Sequence, residues 1–231
     1  MSTLTHLNQA INKLTPLSLA ETSWDNVGLM IEAPKPRQLT NRSITVCIDR
    51  KHSLSLLPLV TSLSLSPYFE LLTGLSSTVT RPVVEAALSN PSTSVILTYH
   101  PPIFSGLKSL TLENSIQKSL LECSASGVSV FTIHTAADNS VGGVNDFMGT
   151  GLLRAAGMEL EKGELVKPGQ GRGLRALKED KNPPEGHEGC GGGRIVDLKQ
   201  GAGRGLGKEE IVRAVKDTLG LKHCQLLSHS L

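Results

Sequence analysis

The chain has 231 residues, enough to bury a real core in one large domain or two small ones. Hydrophobic residues make up 39% and charged residues 19%, which excludes wholesale disorder, and aromatics at 3% leave that core to aliphatic packing. With 23 Lys and Arg against 21 Asp and Glu, no global field draws the chain onto nucleic acid or anionic lipid, and the mildly basic stretch after residue 161 reads as a solvated surface.

In chain order, Leu4, Leu7, Ile11 and Leu14 recur at helical spacing and Pro16 follows as a stop, so a helix is expected over 4–15. Ala20 to Leu29 reads as a loop entering a short strand. Ser43 to Asp49 is β-branched and apolar, as in a strand buried on both faces, and Ser94–Thr98 and Val128–Ile133 repeat the pattern. Helices are expected over 82–89, with Pro82 in the first turn, and over 113–126, where Ile116, Leu120, Leu121 and Cys123 share a face. Strand, helix, strand, helix, strand is the order of a largely parallel α/β sheet flanked by helices.

Residues 51–75, rich in Leu and Ser without a sustained period, stand where a short connection is expected and read as an insertion. Pro58 interrupts them, and their apolar run is far short of the ~20 residues of a membrane span. The expected organisation is therefore an α/β region over 1–157 carrying that insertion and a Gly/Pro/charge-rich linker over 158–193. A partial second α/β portion over 194–231 completes it, with a strand at Arg194–Leu198, a helix at Glu209–Leu219 and a strand start from Leu221.

Cys47, Cys123, Cys190 and Cys224 stand far apart, without the close pairing of zinc ribbons or redox motifs, and are expected as reduced thiols. No apolar leader core is present and Lys13 is the sole basic residue before Lys35, so no secretory or mitochondrial leader is expected. A cytoplasmic location follows, with mitochondrial or nuclear pools left open.

In an open parallel sheet, ligands sit beyond the carboxyl ends of the strands. Asp49, Tyr99-His100-Pro101-Pro102 and His134-Thr135-Ala136-Ala137-Asp138 follow three of the expected strands. Imidazole and carboxylate donors converging there would suit zinc, iron, manganese or nickel. Pro101 restricts His100 to extended geometry and helps hold its ring at the strand end. Taken singly, His100 and His134 fit equally a partly buried histidine bonded to backbone, Asp138 fits a turn residue, and Asp49 fits a helix cap. Gly142-Gly143 is a weak phosphate-cradle signal, and Ser105 and Cys47 have no base tied to them by sequence, so both are expected to be structural.

Four strings in register sharpen this picture: Ser23-Trp24-Asp25-Asn26-Val27-Gly28-Leu29, Tyr99-His100-Pro101-Pro102-Ile103-Phe104, His134-Thr135-Ala136-Ala137-Asp138 and Gly142-Gly143-Val144-Asn145-Asp146. With them the chain resembles the NGG-one-interacting-factor-three family, also called type 2 GTP cyclohydrolase 1 homologues, in a eukaryotic or fungal form. The resemblance implies a dinuclear divalent-metal centre of hydrolase-like ancestry, an unestablished substrate, and a homo-oligomer. It places metal ligands on His100 and Asp138, sets Tyr99 where relatives carry a first histidine, and gives His134 an orienting role. The family's C-terminal His and Glu ligands lie past Leu231, so the chain reads as truncated, and neither His223 nor His229 replaces them. The alternative expectation is a non-catalytic interaction or regulatory protein with a vestigial site and protein partners.

Overall fold

Helix α1 (Thr3–Leu14) buries Leu7 and Ile11, one turn apart, as the sequence spacing predicts. The computed structural model describes residues 3–37, 42–47, 69–74 and 78–225, and these divide into two compact units, Met1–Ala137 and Asp138–Leu231.

The first unit is built on five strands: β1 (Gly28–Ile31), β2 (Arg42–Cys47), β3 (Phe69–Gly74), β4 (Thr93–Thr98) and β5 (Ser129–Thr132), in the order β1-β5-β4-β2-β3. β5, β4, β2 and β3 are parallel, and β1 runs antiparallel to β5 at one edge. The largely parallel α/β class expected from the sequence is the class observed. β3 falls inside the stretch expected as an insertion: residues 69–74 pair with β2 from Arg42↔Phe69 to Cys47↔Gly74, so that part of 51–75 belongs to the sheet. Expected strand residues Ile48 and Asp49, and the remainder of 51–75, lie outside the described residues.

β4 is buried along its whole length, because helices α2 (Arg81–Ser89) and α3 (Ser115–Ala125) cover the sheet and alternate side chains point to opposite faces. Ile96 joins Val83, Val84, Ala87, Leu120, Cys123, Val128 and Val130 in the cluster between the helices and the sheet. Burial pushes the Cys123 thiol up to about 12, so it serves as a small apolar side chain. Pro82 in the first turn of α2 gives up an N–H that would have no helical partner. Asn114 caps α3, its Oδ1 accepting from the Ile116 and Gln117 amides at 3.0 and 3.1 Å. Arg37 ties both helix ends together, donating to the carbonyls of Ser126 at 2.8 Å, Asn90 at 2.8 Å and Thr93 at 3.0 Å.

The second unit packs helix α5 (Val144–Ala155) on a hairpin of β6 (Leu174–Glu179) and β7 (Gly191–Val196), with helices α6 (Leu198–Ala202) and α7 (Lys208–Leu219). Its core is Leu153, Val166 and Leu174. The sequence predicts a linker over 158–193, and the structure places β6 there; β7 likewise begins three residues before the expected strand, through its ladder with β6. Residues 221–225 form no strand. A Cβ on Gly191, whose φ is +139°, would stand 2.1 Å from the Lys178 carbonyl, which explains glycine within this ladder.

A buried ion pair organises the start of α5. Asp146 and Arg194 are 0% and 3% exposed and hydrogen-bonded to each other. The other Asp146 oxygen accepts the Gly142 amide at 2.6 Å, while Arg194 also donates to the Gly191 and Ser140 carbonyls at 2.6 and 3.1 Å. Burial pushes the Asp146 carboxyl above its ordinary value, against the pull of Arg194 and of the Gly142 amide. The protein's own carboxylate therefore takes the amide that the Gly142-Gly143 run offers, which removes the basis for a phosphate cradle there. Among the described residues no helix is long and apolar enough to cross a membrane.

Candidate functional site

Strand register brings the two histidine strings together. Thr98 of β4 pairs with Thr132 of β5, so two residues further on His100 and His134 stand side by side, with ring centroids 5.4 Å apart. This is the carboxyl end of β4 and β5, beside the boundary between β2 and β4 where the strand order reverses, and open α/β sheets bind ligands at such switch points. The turn after β4 is pinned by backbone and hydroxyl bonds. Thr132 Oγ1 and the His134 amide donate to the Tyr99 carbonyl at 2.7 and 3.1 Å, and Thr98 Oγ1 donates to the His100 carbonyl at 3.1 Å.

Asp25 is the functional residue that sequence reasoning missed. The antiparallel pairing of Gly28 with Thr132 carries the chain before β1 past the end of β5, and Asp25 arrives beside His134. Its side chain is fully buried, with Oδ1 2.7 Å from His134 Nδ1. Oδ2 accepts the Thr135 amide at 3.1 Å and the Thr135 hydroxyl, and Asn26 N–H donates back to Oδ1 at 2.7 Å. Thr135 Oγ1 in turn accepts the Glu21 amide at 3.0 Å, and Asn26 Nδ2 donates to the Ile103 carbonyl at 2.6 Å. A carboxylate facing Nδ1 fixes the neutral His134 ring as the Nδ1–H tautomer and leaves Nε2 as its acceptor nitrogen.

Burial alone would raise the Asp25 carboxyl, but the Thr135 hydroxyl, the His134 ring and the Thr135 and Asn26 amides outweigh it and hold it below its ordinary 3.8. Because the folded value is depressed, the stability Asp25 contributes is present above 3.8 and is lost as pH falls through the lower folded value. Asp25→Asn is expected to cost about 1–3 kcal/mol at neutral pH, the range for a hydrogen-bonded charged group, and the cost is expected to shrink as pH is lowered below 3.8. Urea midpoints of both proteins along a descending pH series check this.

The remaining rings form a collar. Trp24, Tyr99 and Phe104 meet the His134 ring nearly perpendicular at centroid distances of 6.2, 5.4 and 6.5 Å. His134 opens the short helix α4 (His134–Asn139), where the sequence suggests a loop. Asp138 lies in the last turn of α4, not in a turn, and belongs to the second unit, where its carbonyl accepts from Asn145 Nδ2 at 3.1 Å. Ser105 is exposed. The Cys47 side chain and Asp49 lie outside the described residues.

Imidazole donors beside a carboxylate-oriented histidine match the donor chemistry of a transition-metal ion. Their number falls short, since among the described residues no group of three His, Cys, Asp or Glu is placed to hold one.

An α/β protein with an oriented histidine pair at the carboxyl ends of two neighbouring parallel strands is the class that fold and site define. The sequence model of the Duf34/NIF3 (NGG1p interacting factor 3) family matches residues 72–230, and the chain belongs to this family. "Protein NIF3 homolog" of Schizosaccharomyces pombe is 34% identical over 95% of this chain and 61% of its own length. "NGG1-interacting factor 3" of Saccharomyces cerevisiae is 26% identical over 97% of this chain and 63% of its own. The chain thus spans less than two thirds of either relative. A solved Bacillus cereus protein related to NIF3 aligns over 76% of this chain and 34% of its own, at 21% identity and a TM-score of 0.47.

Proposed function

We propose that the chain is a divalent-metal-binding member of the Duf34/NIF3 family with hydrolase-like ancestry, holding zinc, iron, manganese or nickel weakly through His100 and Asp138. The observation that supports this is the His100 ring at the end of β4, 5.4 Å from the ring of His134, whose orientation the Asp25 hydrogen bond fixes so that the neighbour of the proposed ligand is held in place. A bound ion would supply Lewis acidity for hydrolysis of a substrate still to be identified. His100 presents its ring at the strand end, Asp25 fixes the proton of His134, and His134 orients the site without being a ligand. A homo-oligomer in the cytoplasm belongs to the same proposal.

Equilibrium dialysis against zinc and manganese, with metal content read by mass spectrometry, tests it. Wild type is expected to retain more metal than His100→Ala or Asp138→Asn, with a reduction on the order of tenfold for each variant. Equal metal in all three would sink the proposal.

The shortage of ligand groups among the described residues favours a second reading, in which the site is vestigial and the protein works by binding protein partners. The name of the budding-yeast relative, NGG1-interacting factor 3, points the same way. A partner captured equally by wild type and His100→Ala, in the presence of a chelator, would support it over the metal proposal.

A further inference from the structure

Half-buried Asn26 stands between the two histidine strings and bonds toward both. Its Nδ2 donates to the Ile103 carbonyl at 2.6 Å, and its backbone N–H donates at 2.7 Å to Asp25 Oδ1, the oxygen that faces His134 Nδ1. The backbone bond steadies the carboxylate that orients His134. The side-chain bond fixes the far end of His100-Pro101-Pro102-Ile103, a stiff segment because each proline locks φ near about −65° and restricts the residue before it. Its near end is held by Thr98 Oγ1, which donates to the His100 carbonyl at 3.1 Å. His100 is exposed, so the backbone that carries it decides its place more than packing does. Past Ile103 the chain runs exposed from Phe104 to Ile116, and among the described residues no other hydrogen bond holds Pro101 to Leu110. The next fixed point is Thr111, whose N–H donates to Gln117 Oε1 at 2.9 Å.

We propose that Asn26 is the positioning residue that sets His100 against His134, its side chain holding the Pro-Pro segment and its backbone holding the Asp25 carboxylate. One residue thereby fixes the spacing of the two imidazoles. This role rests on the metal reading only for its consequence in metal retention; the placement of the rings stands without it. Replacing the side chain leaves the backbone N–H in place, so it disturbs His100 and spares His134. Loss of structure would disturb both rings, and the asymmetry separates the two cases.

The test is nitrogen-15 NMR of the histidine rings in the full chain, treated with chelator, with signals assigned from His100→Gln and His134→Gln. Asn26→Asp keeps the side-chain shape and removes the donor, and Asn26→Ala removes both. Each is expected to shift and broaden the His100 ring signals while His134 keeps its proton on Nδ1. Met30→Leu removes the sulfur 3.5 Å from the same Nδ2 at similar volume and is expected to leave both rings unchanged. In the wild type, one Asn26 side-chain amide proton is expected to exchange slowly with solvent, a reading that needs no variant. Equilibrium dialysis against zinc is expected to leave Asn26→Asp with about tenfold less metal than wild type. Circular dichroism verifies that the variants fold. The proposal is overturned by unchanged His100 signals in the folded Asn26 variants, by His134 losing its tautomer with them, or by an equal His100 shift in Met30→Leu. Fast exchange of both Asn26 side-chain protons, or equal zinc in Asn26→Asp and a zinc-binding wild type, overturns it too. A wild type that retains no zinc defeats the metal reading alone, because the ring signals are read without metal.

Discussion

Replacing Asp146 by alanine is expected to destabilise the second unit by about 3–5 kcal/mol, the largest single-residue effect in the molecule. Arg194 would remain 3% exposed with its guanidinium charge unpaired, and the Gly142 amide would lose its acceptor. Removing one partner strands the other charge in a low-dielectric surrounding, whereas removing both leaves little electrostatic debt. The double replacement Asp146→Leu with Arg194→Met should therefore recover most of the loss, though the Gly191 and Ser140 carbonyls that Arg194 caps keep the recovery incomplete. Urea unfolding of the two variants beside wild type measures both quantities. A single-variant loss below about 1 kcal/mol, or a double variant worse than the single, would contradict a buried pair.

The second large effect belongs to β4. Ile96→Ala is expected to cost about 2–5 kcal/mol, because Ile96 is fully buried between the sheet and helices α2 and α3, where surrounding side chains cannot collapse completely into the vacated space. Ile96→Val removes one methylene at the same place and is expected to cost only about 0.5–1.5 kcal/mol. The graded pair separates packing from backbone effects, since valine keeps the β-branched shape that suits a central strand. Calorimetric or urea measurements giving equal costs for the two variants would show that Ile96 is not packed as described.

The elements legible in the sequence are those whose burial is written in composition. β4 and β5 are β-branched, apolar and short, and α1 shows its buried face as Leu7 and Ile11. β3 is hidden because Phe-Glu-Leu-Leu-Thr-Gly follows a Ser/Leu-rich stretch and lacks β-branched apolar residues, so its strand character comes from pairing with β2. β6 is hidden for the same reason, since Leu-Arg-Ala-Leu-Lys-Glu has no β-branched residue, whereas β7 is legible from Arg194 on and only its start is missed: three glycines open it, a composition that disfavours a strand until a partner supplies the ladder.

At the site, His100 and His134 could be read from their places after two strands, since parallel register then makes them neighbours. Asp25 could not, because its proximity depends on β1 running antiparallel to β5, a pairing between segments about a hundred residues apart that no local periodicity encodes. The signal available was the acid within Ser23-Trp24-Asp25-Asn26, which reads locally as a loop. Asp138 was legible as part of its string, but its helical setting was not, because α4 is a six-residue helix with no apolar repeat of its own.

The orientation of His134 by Asp25 underlies the candidate site, and nitrogen-15 NMR of the histidine rings tests it most directly. With the His134 signals assigned by comparison with a His134→Gln variant, the neutral ring is expected to carry its proton on Nδ1 with Nε2 unprotonated, and Asp25→Ala is expected to abolish that preference. A neutral His134 protonated on Nε2, unaffected by Asp25→Ala, would contradict the site as built here.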